Sequence, residues 1–221
     1  MQKLAGLLII LLISLSLTGC VSMRSDVEGL YKEQYAYVKK KPVKVFFDFY
    51  HYKKDVGLDV IPKLLYRAAI PDYDDIFKEA FKNLTNISEF ETFTNRSDDI
   101  SDRARLQKRD SAVLRADYTV KVEIQRTKSF ITHFLAGMVS TVSATLIPMP
   151  YSWDYTVNVS VINKERDVAA KYNRQASVTT WYQVLLVPIY PFATEDMKNE
   201  EIYIEMLSDI FRQMDHEGVL K

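Results

Sequence analysis

Cysteine occurs once in the 221 residues, at Cys20. A single thiol excludes an intramolecular disulfide framework, so the fold stands on packing even in an oxidising compartment. Glycine is scarce, at 6 residues, while tyrosine and phenylalanine are plentiful, at 14 and 11. That balance excludes a disordered or low-complexity chain and fits a globular one. An excess of either charge is also missing. Residues 1–19 hold one lysine and no acid, so the remainder carries 28 basic and 29 acidic side chains. Nucleic-acid binders need a basic surface that this sequence does not supply.

Chemical signatures are missing as well. There is no glycine-rich phosphate loop and no Gly-x-Ser-x-Gly elbow. His51, His133 and His216 are far apart in sequence and lack metal-ligand spacing. The acid pairs Asp74-Asp75, Asp98-Asp99 and Glu200-Glu201 are sequence neighbours, which point to different sides of a helix. They read as capping and solvating charges. The expectation is a protein that is not an enzyme and holds no metal.

A clear membrane span is also missing at the N-terminus, where a retained transmembrane anchor is the rival to an export signal. Leu4 to Gly19 is 16 residues, short of the roughly 20 a bilayer requires. It follows a lone basic residue, Lys3, and runs into Leu17-Thr18-Gly19-Cys20. A short apolar core ending in small residues reads as an export signal. Leu-x-Gly-Cys resembles the lipobox of bacterial lipoproteins. That resemblance implies removal of residues 1–19, acylation of Cys20 as the new N-terminus, and a membrane anchor made of lipid. Two or more acyl chains hold a protein stably where one does not. No other cofactor is expected. Val21 and Ser22 follow the cysteine, with no aspartate, which by the same resemblance favours the outer membrane, facing the periplasm.

Residues 20–42 read as a lead segment. Val27, Tyr31, Gln34, Tyr35 and Val38 fall near helical spacing, and Lys39-Lys40-Lys41-Pro42 closes the stretch. Residues 43–221 read as a single α+β domain. Val43, Val45, Phe47 and Phe49 share one face of a strand, with Phe46 on the other. Residues 51–72 look irregular. Asp72–Leu84 is predicted helical, with Ile76, Phe77, Ala80, Phe81 and Leu84 as its stripe. A short strand over Glu91–Thr94 and a charged helix over Asp98–Leu114 follow. Clean alternation marks strands from Tyr118, Val120, Val122 and Ile124, and from Tyr151 through Val161. A polar turn over Asn163–Asp167 leads to a strand over Val168–Thr180. Asp196–Asp215 is predicted as the closing helix, with Ile202, Tyr203, Met206, Leu207, Ile210, Phe211 and Met214 on one side.

The order β-α-β-α-β-β-β-α predicts a mixed or antiparallel sheet with helices packed mainly on one face. The order resembles the periplasmic domain of curli-transport lipoproteins. It is also similar to the N-terminal domain of TolB and to outer-membrane activators of peptidoglycan synthases. That resemblance concerns the arrangement of elements and carries no function by itself.

Between Lys128 and Asp154 lie 25 residues without a formal charge, joining two strands that need only a short turn. Three readings compete for 129–153: a transmembrane or membrane-dipping helix, a β-hairpin given to an oligomeric barrel, and a helix or loop packed on the domain or on a partner. Ile131, Leu135, Met138, Val139, Val142 and Leu146 form a helical stripe opposite Thr132, Ala136, Ser140 and Ser143, which suits the third. A second uncharged stretch, Gln175–Thr194, holds Trp181 and Leu186 and is interrupted by Pro188 and Pro191. With Trp153 these segments are expected to form one aromatic edge. Leu135, Val139, Val142, Leu146, Trp153, Trp181 and Leu186 are thus the candidate contacts for membrane or partner.

The function these features predict is that of a non-catalytic cell-envelope lipoprotein, a binding or assembly accessory factor with an envelope protein as partner. A subunit of a curli-type secretion channel and an activator of a peptidoglycan synthase stand as alternatives.

Overall fold

The computed structural model describes residues 20–32, 40–56, 62–67, 73–95, 102–144, 146–183, 186 and 193–221. The signal segment 1–19, the helical spacing through Gln34, Tyr35 and Val38, Ile100, and the stretch with Pro188, Tyr190, Pro191 and Phe192 lie outside them.

The fold is α+β. Its strands are β1 (Cys20–Arg24), β2 (Val43–Val56), β3 (Pro62–Arg67), β4 (Ile87–Thr94), β5 (Tyr118–Ser129), β6 (Met149–Asn163) and β7 (Val168–Tyr182). The helices are α1 (Tyr73–Phe81), α2 (Arg103–Arg115), α3 (Phe130–Val142) and α4 (Glu195–Glu217). The strands form one mixed sheet in the order β1-β7-β6-β5-β2-β3, with β4 also on β2. β2 runs parallel to β5 and β4, and the other pairings are antiparallel. β4 pairs with Val43–Phe49 and β3 with Tyr52–Val56, so they share one edge of β2 at its two halves.

The predicted alternation sets the core. Val120, Val122 and Ile124 of β5 and Tyr155, Val157, Val159 and Val161 of β6 are fully buried on one face. α4 lies across them with Ile202, Met206, Ile210, Phe211 and Met214, and α1 adds Ile76, Phe77 and Ala80. Phe47 and Phe77 meet edge to face at 5.1 Å, a favoured aromatic geometry. Phe46 points the other way, into a small second cluster with Phe93, Ala112 and Ala116 under α2. β2 is therefore covered on both sides, and the helices sit mainly on one face.

Three expectations are corrected. Residues 51–56 continue β2, and 62–67 form β3, where an irregular stretch was expected. Pro62 opens β3 at the edge of the sheet, a position where its missing N–H is tolerated. The supposed lead is part of the domain: Cys20–Arg24 is an edge strand whose register runs Cys20↔Tyr182 to Arg24↔Val178. Beyond it, Glu28 bridges to Gln175, and residues 25–32 form no helix. The α4 face that receives this segment displays acids that a free helix would leave in water.

A candidate membrane and partner surface at one end of the sheet

The segment after β1 is fastened to α4 by two buried carboxylates. Asp209 Oδ2 accepts the Tyr31 backbone N–H at 2.9 Å and pairs with Arg174 at 2.7 Å. Arg212 also pairs with Asp209 and donates to the Tyr31 carbonyl at 3.1 Å. Asp215 takes Lys40 at 2.8 Å and two hydrogen bonds from Thr85, at 3.1 and 2.9 Å. Buried charges persist only with such partners.

α3 is the unusual element. It leaves β5 at Ser129, spans Phe130–Val142, and a turn returns the chain to β6 at Met149. Its inward side is small and polar. Ala136 is 1% exposed, Ser140 is buried, and Gly137 lies against the Tyr151 hydroxyl. His133 donates through Nε2 to the Ser152 carbonyl at 2.9 Å, with its ring against Tyr151 and Trp153. The outward side is mainly apolar, although Thr132, expected on the opposite side, and Thr141 are exposed as well. Leu135 is 54% exposed, Val142 is 87% exposed, and Val139 and Leu146 join them. A helix on a water-soluble domain shows the reverse arrangement.

Four of the seven candidate contacts, Leu135, Val139, Val142 and Leu146, thus gather on one exposed surface. Phe130 and Phe134 extend it with rings stacked at 6.0 Å. Their i, i+4 spacing was a readable signal that the predicted stripe did not include. Of the three readings of this segment, the hairpin is replaced by a helix. Among the described residues no helix is long and apolar enough to cross a membrane.

The expected single aromatic edge is divided by the pleat. Trp153 lies on the core face near α3, under Arg126 at 3.8 Å and Lys128 at 5.0 Å. Trp181 stands opposite Pro150 and Val21, one residue out of phase with buried Thr180, and so occupies the other face of the sheet. Leu186 is half-buried, its N–H bonded to the Gln183 carbonyl at 3.0 Å.

Elsewhere, ionisable groups serve the fold. Burial pushes the Asp48 carboxyl up, against hydrogen bonds from Asn95 and Tyr50, and burial beside Asp48 pushes Tyr50 up to about 12. Burial also raises Tyr155, which donates to Asn199 at 2.6 Å. A groove between β4 and α2 is lined by Phe93, Arg105, Lys108 and Arg109, with Arg105 lying 4.4 Å over the Phe93 ring and donating to the Thr94 carbonyl at 2.6 Å. Among the described residues no group of three His, Cys, Asp or Glu is placed to hold a metal.

No protein-family model and no curated protein matches the chain. Among solved structures, it is similar to a PelC dodecamer from Paraburkholderia phytofirmans at 8% identity and a TM-score of 0.34, covering 89% of this chain and 97% of that one. A variant of that dodecamer in another crystal form gives 8% identity and a TM-score of 0.32, over 86% and 96%. Similarity at this level carries no functional inference.

Proposed function

We propose that the protein is a non-catalytic lipoprotein of the bacterial cell envelope, anchored through acylated Cys20 in the outer membrane and facing the periplasm, where it binds other envelope proteins. The observation that carries this reading is the junction at Cys20. The cysteine of the Leu17-Thr18-Gly19-Cys20 motif opens β1, so a cut before it would leave every strand and helix among the described residues in place. Removal of residues 1–19 leaves the described sheet whole. The buried ionisable groups support a non-catalytic role, because Asp209, Asp215, Tyr155 and Tyr172 each hold a structural partner.

The experiment is membrane fractionation of the full chain and of Cys20→Ala, followed by native mass measurement in mild detergent. Recovery of the full chain in the outer membrane with an unrelated envelope protein, with Cys20→Ala keeping residues 1–19 and failing to reach the outer membrane, is the expected result. Equal recovery of both forms in the outer membrane, with residues 1–19 removed from both, would overturn the lipid anchor. A large ring of this chain alone would favour a channel subunit.

A further inference from the structure

We propose that α3 lies in the headgroup boundary of the leaflet that holds the Cys20 lipids, so that the domain rests on the membrane by this end of its sheet. The proposal rests on the lipid-anchor reading and adds a second, non-covalent point of attachment. Four features of the structure point to a bilayer as the occupant of this surface.

The first is the orientation of the helix. Ala136, Gly137 and Ser140 let α3 approach β6 closely, and the large side chains Phe134, Leu135, Met138 and Val142 are left outside. The second is length and charge. Thirteen residues make about 20 Å of helix, too short to cross the roughly 30 Å hydrocarbon core. A helix that has an apolar face and does not cross is suited to the interfacial plane.

The third is register. Tyr182 pairs with Cys20 on one side and with Met149 on the other. Two strand spacings, about 10 Å, therefore separate the start of β1 from the strand that α3 feeds. Cys20, the residue that would carry the lipids, therefore lies at the same end of the sheet as α3. The fourth is the layer behind α3. Tyr151 and Tyr182 meet edge to face at 4.6 Å, and Trp153 carries Lys128 over its ring at 5.0 Å, with Arg126 beside it paired to Glu195. Amphipathic aromatics and long basic side chains behind an apolar surface match the polarity profile of a membrane interface. A second copy of the chain would need none of this layering.

The test uses the full-length protein, extracted and reconstituted in phospholipid vesicles with brominated acyl chains. A fluorophore is placed through Met138→Cys or, as a control, through Glu165→Cys. Position 165 lies in the β6–β7 turn, at the opposite end of strands that run roughly 45 Å. Intact mass on the same samples reports whether Cys20 is acylated. The expected result is quenching of the probe at 138 and none at 165, with quenching at 138 lost in a Leu135→Glu background whose near-ultraviolet dichroism is unchanged. An unquenched probe at 138 on a protein with acylated Cys20 overturns the docking and leaves the anchor standing. Quenching at 138 with Cys20 unmodified upholds the docking and overturns the anchor. A probe at 138 that is unquenched and shielded only in concentrated samples overturns the proposal in favour of a second copy.

Discussion

Arg174 of β7 and Asp209 of α4 form an ion pair at 2.7 Å with both side chains almost wholly buried, 5% and 3% exposed. The guanidinium also donates to Gln213 at 2.6 Å, and the carboxylate also holds Tyr31. One contact thus joins the sheet, the long helix and the chain that leads from β1.

Removing one partner of such a pair leaves the other charge buried, which costs about 3–5 kcal/mol. Asp209→Ala is expected to lose stability by that amount in urea unfolding. It should also raise hydrogen exchange in residues 25–32. An apolar double replacement, Arg174→Met with Asp209→Leu, should recover most of the loss.

Lys40 and Asp215 fasten the same segment at its other end. Lys40→Ala leaves the buried Asp215 carboxylate with its two Thr85 hydrogen bonds alone, so it is expected to lose stability by about 3–5 kcal/mol in urea unfolding. Faster hydrogen exchange at 40–42 is the expected local readout. Unchanged stability would show that the Thr85 hydrogen bonds suffice for Asp215.

The two sides of α3 make opposite predictions. Ala136→Leu adds bulk against β6 and should destabilise by about 1–3 kcal/mol. Leu135→Ala removes an exposed side chain and should stay within about 0.5 kcal/mol. Chemical unfolding of both variants measures the difference. A large loss at Leu135 would mean that the helix faces the other way.

Asp48 gives a pH dependence with a definite sign. Its folded pKa is raised by burial, so the folded state keeps the proton where the unfolded chain has lost it. Stability from this residue is therefore largest below the ordinary carboxylate range and falls as pH rises toward the folded value. The slope is at most about 1.4 kcal/mol per pH unit. Asp48→Asn should flatten that part of the stability profile.

Gly218 ends α4 with φ of +60°, the left-handed conformation common just past a helix. Nothing lies within 4 Å of a Cβ built there, so the strain of a side chain is backbone strain alone. Gly218→Ala should lower stability by about 1–2 kcal/mol in thermal unfolding, and Gly218→Asn by less.

Period-two alternation made β5 and β6 legible from residue types, the polar turn after β6 placed β7, and the stripe on α4 marked the helix that covers them. Phe46 among outward neighbours signalled the second layer under α2. β1 was not legible, because Cys-Val-Ser-Met-Arg has no clean alternation and its partner lies more than 150 residues away. The second half of β2, with Tyr52, Lys53 and Lys54, is held by neighbours on both edges and not by an apolar pattern. β3 was hidden by the proline that opens it. On α3 the periodicity revealed an apolar side but not its direction. Direction follows from the small residues opposite, which permit close approach, and from the aromatic ends of β6 and β7. Trp153 and Trp181 were grouped by composition, and the pleat placed them on opposite faces.

Cys20 is the acylated N-terminus of the proposed lipoprotein and also opens β1. The most direct measurement is the mass of the N-terminal peptide from protein extracted from membranes. A peptide that begins at Cys20 and carries acyl chains, with residues 1–19 gone, is the expected result. A peptide that retains residues 1–19 with an unmodified Cys20 would contradict it.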